Sequence, residues 1–133
     1  GVADIRARTL RAVGSAESRF REDPSRIMRA VRLASVLDFC IEEETYAAML
    51  AHHALLRQVS EARLMVEVVK ASRDSATWAR SLRLLADSGL HAYAFPEVPR
   101  DAFLKAARVA QKVADGGSGG ESGFSSAAFG ESV

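Results

Sequence analysis

Along most of this chain, apolar residues recur at steps of three and four, which is the spacing of an amphipathic α-helix. From Val2 to Val13 they alternate with arginines and stop at Gly14, and this predicts a first helix. After a short connection, Asp23 and Pro24 offer an N-cap and a first-turn proline, so a second helix is predicted to begin there. On that helix the apolar residues and the arginines fall on neighbouring arcs.

The pattern breaks around Asp38 and predicts four more helices beyond it. They cover residues 45–57, the stretch after Ser60, residues 75–88 and residues 101–114. Ser60 can cap the helix that follows it, and Gly89 can end the helix that precedes it. Because Ala, Leu, Val and Arg are plentiful and only 7% of the residues are aromatic, composition also favours helices over sheet. We therefore expect an all-α fold.

The end of the chain differs from the rest in composition. Residues 115–133 are rich in glycine and serine and have few apolar side chains to bury. A segment of this kind does not offset the entropy lost on folding. We expect a disordered tail or linker there.

Positive charge is concentrated at the front of the chain, although the formal net charge is only +1. Residues 1–33 contain eight arginines and no lysine, against four acidic residues. A guanidinium group is a planar fork of donors that suits phosphate and base edges, but arginines of this kind also occur on ordinary solvated surfaces. Both interpretations are open at this point.

Several kinds of site and location are not supported. Cys40 is the only cysteine, so a disulfide within the chain is excluded and a buried side chain is expected. His52 and His53 are adjacent and do not form a helical i, i+4 ligand pair. No two aspartates are separated by one residue, as a two-metal site would favour, and we expect no metal site in this chain. No apolar run approaches the roughly 20 residues that span a bilayer, so a cytoplasmic protein without a membrane partner is expected.

Asp23 and Arg26 form the most suggestive pair. One carries an acceptor-only carboxylate, and the other carries a fork of donors one helical turn later. Together they match a base edge with an amino group beside an unprotonated ring nitrogen, as in adenine and cytosine but not in guanine or uracil. Arg29 and Arg32 continue along the helix and are candidates for phosphate binding. The alternative is an Asp23 that only caps the helix and arginines that only face solvent.

Several strings in order carry a resemblance to a known family. They are "GVADIRARTLRAVG", "SRFREDPSRIMRAVRLASVLDFCIEEET", "VSEARLMVEVVK" and "LRLLADSGLHAYAFPEV". Together they resemble the neck and body of bacterial poly(A) polymerases and of the closely similar CCA-adding tRNA nucleotidyltransferases. The most specific part is E-D-x-x-R followed by R-A-V-R. Leu33 and Asp38 depart from the family, which usually has Phe and Gly at these positions.

The resemblance implies roles for individual residues. In the family the Asp and Arg of E-D-x-x-R act as a protein template for the incoming base, which implies that Asp23 and Arg26 read the base and that Glu22 orients them. It further implies that Arg29 and Arg32 lie by the nucleotide. The residues implied in the head–neck motif are Gly1, Asp4 and Arg11, and those implied in RNA binding are Arg63 and Lys70.

The resemblance also implies an organisation and an activity. Residues 1–58 are expected to form the neck, residues 59–114 a helical body, and the catalytic head is expected upstream of this chain, which alone should be inactive. The whole enzyme is expected to use ATP, with CTP as a further substrate, and Mg²⁺ held by the head, to extend the 3′ end of an mRNA or tRNA. Poly(A) polymerase is the first choice and CCA addition the alternative. A non-catalytic helical module that binds RNA or a protein is a second alternative.

Overall fold

In the computed structural model, the described residues are 2–4 and 6–116, with side chains described from residue 6 onwards. Most of them are helical, as predicted. The helices are α1 (Ala16–Glu22), α2 (Ser25–Leu37), α3 (Glu43–Ala51), a 3₁₀ helix (His53–Gln58), α4 (Glu61–Ala71), α5 (Ser75–Ser88), α6 (His91–Ala94) and α7 (Arg100–Gly116). The strands are β1 (Val2–Asp4), β2 (Thr9–Arg11) and β3 (Cys40–Ile41). The tail prediction, apart from residues 115 and 116 at the end of α7, lies outside the described residues.

The first predicted helix is wrong, because its place is taken by a small sheet. β1 and β2 pair in antiparallel fashion with Ala3 opposite Leu10, and β2 pairs in parallel with β3 with Leu10 opposite Ile41. Leu10 is buried between the partly exposed Thr9 and the exposed Arg11. This alternation has the two-residue period of a strand. The residues assigned to a connection before Asp23 instead form α1, whose first turn is capped by the Ser15 hydroxyl.

Two of the predicted capping residues, Ser60 and Gly89, are confirmed, and the prediction for α2 is one residue off. α2 begins at Ser25 with Pro24 as its N-cap, while Asp23 ends α1 and its carboxylate accepts from the backbone N–H of Ser25. The Ser60 hydroxyl accepts from the N–H of Arg63 in α4. Gly89 ends α5 with a φ of 79°, in the left-handed region that glycine adopts without strain. These interactions are local, so the sequence alone can predict them.

One hydrophobic core joins the helices. α2 lies at its centre and packs on α4 and α5, while α5 packs along α7. The largest fully buried side chains are Ile27, Val31, Met49, Leu56 and Leu90. Core residues come both from the first 58 residues and from the stretch after them, as Phe20 and Phe103 show.

The expected burial of Cys40 is wrong. Cys40 is exposed on β3, because the short strand turns this side chain away from the core. On α7, Val109 is 63% exposed, and Ala107 and Ala110 take the buried positions. Among the described residues, no helix combines the length and apolar character needed to cross a membrane.

Candidate functional site

A cleft lined by four arginines lies between β2, α1, α2 and α3. Its volume is about 60 Å³. The arginines are Arg11, Arg19, Arg26 and Arg29, and the remaining lining residues are Leu10, Ala12, Phe20, Ala30, Leu33 and Thr45. No carboxylate is among these residues, so the cleft presents a surplus of positive charge. Forked donors around an apolar floor suit an anion that also carries a flat apolar group.

Arg11 is positioned by contacts between β2 and α3. The next backbone N–H, that of Ala12, donates to the Thr45 hydroxyl at 3.1 Å, and this hydroxyl donates to Glu42 Oε1 at 2.8 Å. Hydrogen bonds from Thr45 lower the pKa of Glu42, and the charge of Arg11 contributes in the same direction. Glu42 therefore stays ionised at neutral pH and caps α3.

Arg26 is held at the edge of the cleft. Its Nη1 donates to Glu22 Oε1 at 3.1 Å and to the backbone carbonyl of Arg19 at 3.3 Å, and its side chain is 25% exposed. Glu22 thus contacts Arg26, and the orienting role expected of it stays a prediction. Arg29, one turn later on α2, is exposed, and its side chain has no hydrogen bond or ion pair within residues 6–116. Its donors are available to a ligand.

Asp23 does not contact the Arg26 side chain. Its carboxylate lies instead against α4, where Arg63 Nη2 is 3.1 Å from Oδ1 and 3.0 Å from Oδ2. The hydroxyl and N–H of Ser25 also donate to Oδ1. Hydrogen bonds from Ser25 lower the pKa of Asp23, and Arg63 lowers it further. Asp23 and Arg26 thus have different partners in this structure, and their expected joint contact with a base stays a prediction.

Arg32 turns away from the cleft. Its Nε donates to Glu67 Oε1 on α4 at 2.6 Å, and the side chains are 18% and 6% exposed respectively. Each three-residue step along a helix rotates the side chain by about 60°, so two steps carry Arg32 from the face of Arg26 towards α4. The expectation that Arg32 lies with Arg29 beside a nucleotide is not met by this arrangement.

The remaining predicted residues lie in three different surroundings. Arg63 bridges α4 to Asp23 with its side chain 55% exposed, and Lys70 is exposed on the same helix, so their expected contacts with RNA stay predictions. Gly1 lies outside the described residues, and only the backbone of Asp4 is described, in β1. Arg19 and Ser25 were missed. The segment that contains Arg19 was predicted to be a connection. Apart from the neighbouring proline, nothing in the sequence around Ser25 indicates a role for this residue.

A metal ion has no evident ligands here. Within the described ranges, no group of three or more His, Cys, Asp or Glu side chains is arranged to hold one. The chemistry available in the cleft is therefore binding of an anion and hydrogen bonding to a polar edge.

Comparison with known proteins gives two findings. Residues 38–101 match a family model described as the probable RNA and SrmB-binding site of polymerase A. The chain is also similar to curated proteins called CCA-adding enzyme. One from Lactococcus lactis subsp. cremoris strain MG1363 is 48% identical over 88 residues, which is 66% of this chain and 22% of that protein.

Two further relatives carry the same name. The protein from Lactococcus lactis subsp. lactis strain IL1403 is 42% identical over 105 residues, 79% of this chain and 26% of that protein. The protein from Streptococcus thermophilus strain CNRZ 1066 is 53% identical over 70 residues, 53% of this chain and 17% of that protein. The chain thus spans about a fifth of the length of the curated relatives it matches.

Proposed function

The chain belongs to the poly(A) polymerase and CCA-adding enzyme family of nucleotidyltransferases, and from this premise we propose that it is the nucleotide- and RNA-binding part of a CCA-adding tRNA nucleotidyltransferase. The relatives described above are named CCA-adding enzymes. They favour this branch over poly(A) polymerase, which the sequence analysis placed first. The observation that carries the proposal is the arginine-lined cleft beside Glu22, Asp23 and Arg26.

The cleft supplies phosphate-binding donors. Arg11, Arg19 and Arg29 line it without a carboxylate among the lining residues. A nucleoside triphosphate carries several negative charges, and guanidinium groups bind phosphate through two parallel hydrogen bonds. In this proposal these arginines hold the triphosphate of ATP or CTP.

The base is read at the edge of the cleft. Glu22 holds Arg26 with its remaining donors free, and Asp23 stays ionised and can only accept. Adenine and cytosine offer an amino donor and a ring-nitrogen acceptor to such a pair. Guanine and uracil offer a carbonyl and an N–H at this edge. The carbonyl acceptor would then face the Asp23 carboxylate, and the N–H donor would face the Arg26 guanidinium. Each unpaired polar group costs on the order of 1–3 kcal/mol in a closed site, so ATP and CTP are favoured.

Mg²⁺ and the RNA have separate places in the proposal. Mg²⁺ prefers carboxylate oxygens, which the cleft lining lacks. The described residues therefore do not fit this ion. We assign it to a catalytic domain elsewhere in the whole enzyme. The tRNA 3′ end is the RNA partner. Lys70 on α4 lies within the segment that matches the RNA-binding family model and is a candidate phosphate contact.

The test is nucleotide incorporation by the full-length protein that carries this chain. A tRNA lacking its 3′ end and an unstructured RNA are incubated with each nucleotide and Mg²⁺. We expect addition of C-C-A to the tRNA alone. Long A tails on the unstructured RNA would instead indicate a poly(A) polymerase. No incorporation by a folded protein would favour the non-catalytic binding module.

Two substitutions make the same assay specific for the cleft. Arg26→Ala should reduce the preference for ATP and CTP over GTP and UTP by about tenfold, because the base loses its donor. Arg29→Ala should weaken the binding of all four nucleotides alike, because Arg29 contacts the phosphates in this proposal. Arg108→Ala on α7, an exposed arginine outside the cleft, is the matched control and should change neither. An equal loss of nucleotide preference in Arg26→Ala and Arg108→Ala would contradict the assignment of Arg26 to base recognition.

A further inference from the structure

α7 carries a second apolar face that its packing within residues 6–116 leaves exposed. Its core face consists of Phe103, Ala107 and Ala110, which are buried where α7 lies along α5. Val109 and Val113 lie outside this face and are 63% and 47% exposed. A helix at the edge of one core needs one apolar stripe, so the packing of the described residues does not account for the second.

The exposed stripe, which we call the α7 seam, has the spacing of a coiled-coil contact. It consists of Ala102, Ala106, Val109 and Val113, which are separated by steps of four, three and four residues. Such steps reproduce the a and d positions of a heptad, the narrow strip that one helix presents to another. Ala106 is exposed like the two valines, and Ala102 is partly exposed. The spacing therefore indicates that an α-helix lying along α7 would cover the seam.

Positive charge lies along one edge of the α7 seam. Each residue advances a helix by about 100°, which places the exposed Lys105, Arg108 and Lys112 within about 100° of Val109, on the edge away from the core. The Lys105 ammonium lies 3.2 Å from Asp101. Arg108 and Lys112 have no ion pair within residues 6–116. A helix docked on the seam would place its own flanking side chains against these cations, so acidic residues there would complement them.

We propose that the α7 seam is a docking surface for an acidic amphipathic helix of a partner protein. The seam buries the apolar face of that helix, and the three cations pair with the carboxylates that flank it. The proposal goes beyond the proposed function, because α7 contributes no residue to the arginine-lined cleft. Apart from its first two residues, α7 also follows the segment that matches the RNA-binding family model.

The charges and the apolar stripe together disfavour two other occupants. A second copy of this chain would bring its own row of cations to the contact, and like charges across an interface reduce affinity. An RNA backbone would neutralise the cations but has no apolar side chains to cover Val109 and Val113. The seam extends over about 16 Å of helix, so the contact is small and the binding is expected to be weak and reversible.

The experiment measures the binding of a synthetic helical peptide to this chain and to the full-length protein that carries it. The peptide has leucines at its a and d positions and glutamates at e and g, and a second peptide has lysines in place of the glutamates. Calorimetry gives the affinity at concentrations at which each peptide alone is monomeric, and amide shifts in ¹H–¹⁵N spectra of this chain locate the contact. The variants are Val109→Ser and the double variant Lys105→Glu with Lys112→Glu. Val66→Ser, at a valine that is 49% exposed on α4, is the matched control.

The glutamate peptide should shift the amides of α7 and bind about tenfold more tightly than the lysine peptide. Val109→Ser should weaken this binding by about tenfold, because the contact loses a buried valine side chain. The double charge variant should reverse the preference between the two peptides. Val66→Ser should change neither affinity. All the substituted side chains are exposed, so each variant should keep the melting temperature of the unmodified chain.

Other results would overturn the proposal. Equal binding of the two peptides, no binding of either, or an equal loss in Val66→Ser would exclude a specific acidic partner. Self-association of the unmodified chain that Val109→Ser removes would identify a second copy as the occupant. Binding of an unstructured RNA that is lost in the double charge variant but kept in Val109→Ser, without peptide binding, would identify RNA. Peptide binding by this chain but not by the full-length protein would show that another part of the same polypeptide covers the seam.

Discussion

Arg26, Arg29 and Arg32 follow one another at three-residue steps on α2, yet their guanidinium groups have different surroundings. Arg26 is oriented by Glu22, Arg29 is exposed in the cleft, and Arg32 is paired with the buried Glu67 on α4. The same residue type thus lines the cleft at two positions and pairs with a buried carboxylate at the third. Sequence spacing predicts the shared helix, but the partner of each side chain depends on which neighbouring element lies opposite.

Asp23 gives a prediction at the residue level that concerns stability and pH. Its folded-state pKa lies below its ordinary value of about 3.9, so its contribution to the free energy of unfolding is fully present above about pH 5. That contribution is lost as the pH falls through the folded-state pKa. Asp23→Asn should therefore lower the free energy of unfolding by about 1 kcal/mol at pH 7, with the difference vanishing in acid.

Urea denaturation between pH 2 and pH 7 measures this difference. Glu97→Gln, at an exposed position, is the control and should show no comparable pH dependence. A difference between Asp23→Asn and the unmodified chain that persists unchanged at pH 2 would show that its cause is not the charge.

At the level of single elements, the ends of helices depend on a few backbone angles. α2 ends at Asp38, whose φ of 54° and ψ of 46° place a non-glycine residue in the left-handed region. The resemblance described above implies glycine at this position, and the left-handed backbone is the reason that glycine suits it. Asp38 is 62% exposed and lies 3.8 Å from Arg8 and 3.6 Å from Arg80, and exposed ion pairs of this length contribute little.

Asp38→Gly should accordingly raise the free energy of unfolding, by about 0.5–1 kcal/mol, because the strain of the left-handed backbone is removed. Gly89→Ala is the reverse test. Its φ is 79° and no atom lies within 4 Å of an added Cβ, so a loss of about 1 kcal/mol would come from the backbone alone. Thermal unfolding of both variants is the measurement, and a destabilised Asp38→Gly would show that the two ion pairs outweigh the strain.

At the level of the whole molecule, local features were predictable and non-local ones were not. Helices with long periodic patterns, such as α4 and α5, were predicted with one cap each, Ser60 and Gly89. The β1–β2–β3 sheet was missed because each strand is only two or three residues long and β3 pairs with β2 from about 30 residues away. The same limit applies to the site, where the ion-pair partners of Asp23 and Arg32 both come from α4.

The Arg32–Glu67 pair connects the two predicted parts of the chain and should matter for overall stability. Arg32→Met leaves the Glu67 charge buried without a partner, which costs about 3 kcal/mol. The double variant Arg32→Met with Glu67→Leu should recover most of this loss, because both charges are removed together. Chemical denaturation of the unmodified chain, the two single variants and the double variant measures the coupling between the two side chains. Equal stability of Arg32→Met and the unmodified chain would show that Arg32 is free to serve a ligand.

The exposure of Cys40 has a practical consequence for optical experiments. It is the only cysteine of the chain, so a maleimide dye would attach at a single position without any substitution. Cys40 pairs with Thr9 on β2, two residues before Arg11 of the cleft. A fluorophore there would lie one strand away from a bound nucleotide, and its emission would report occupancy in real time.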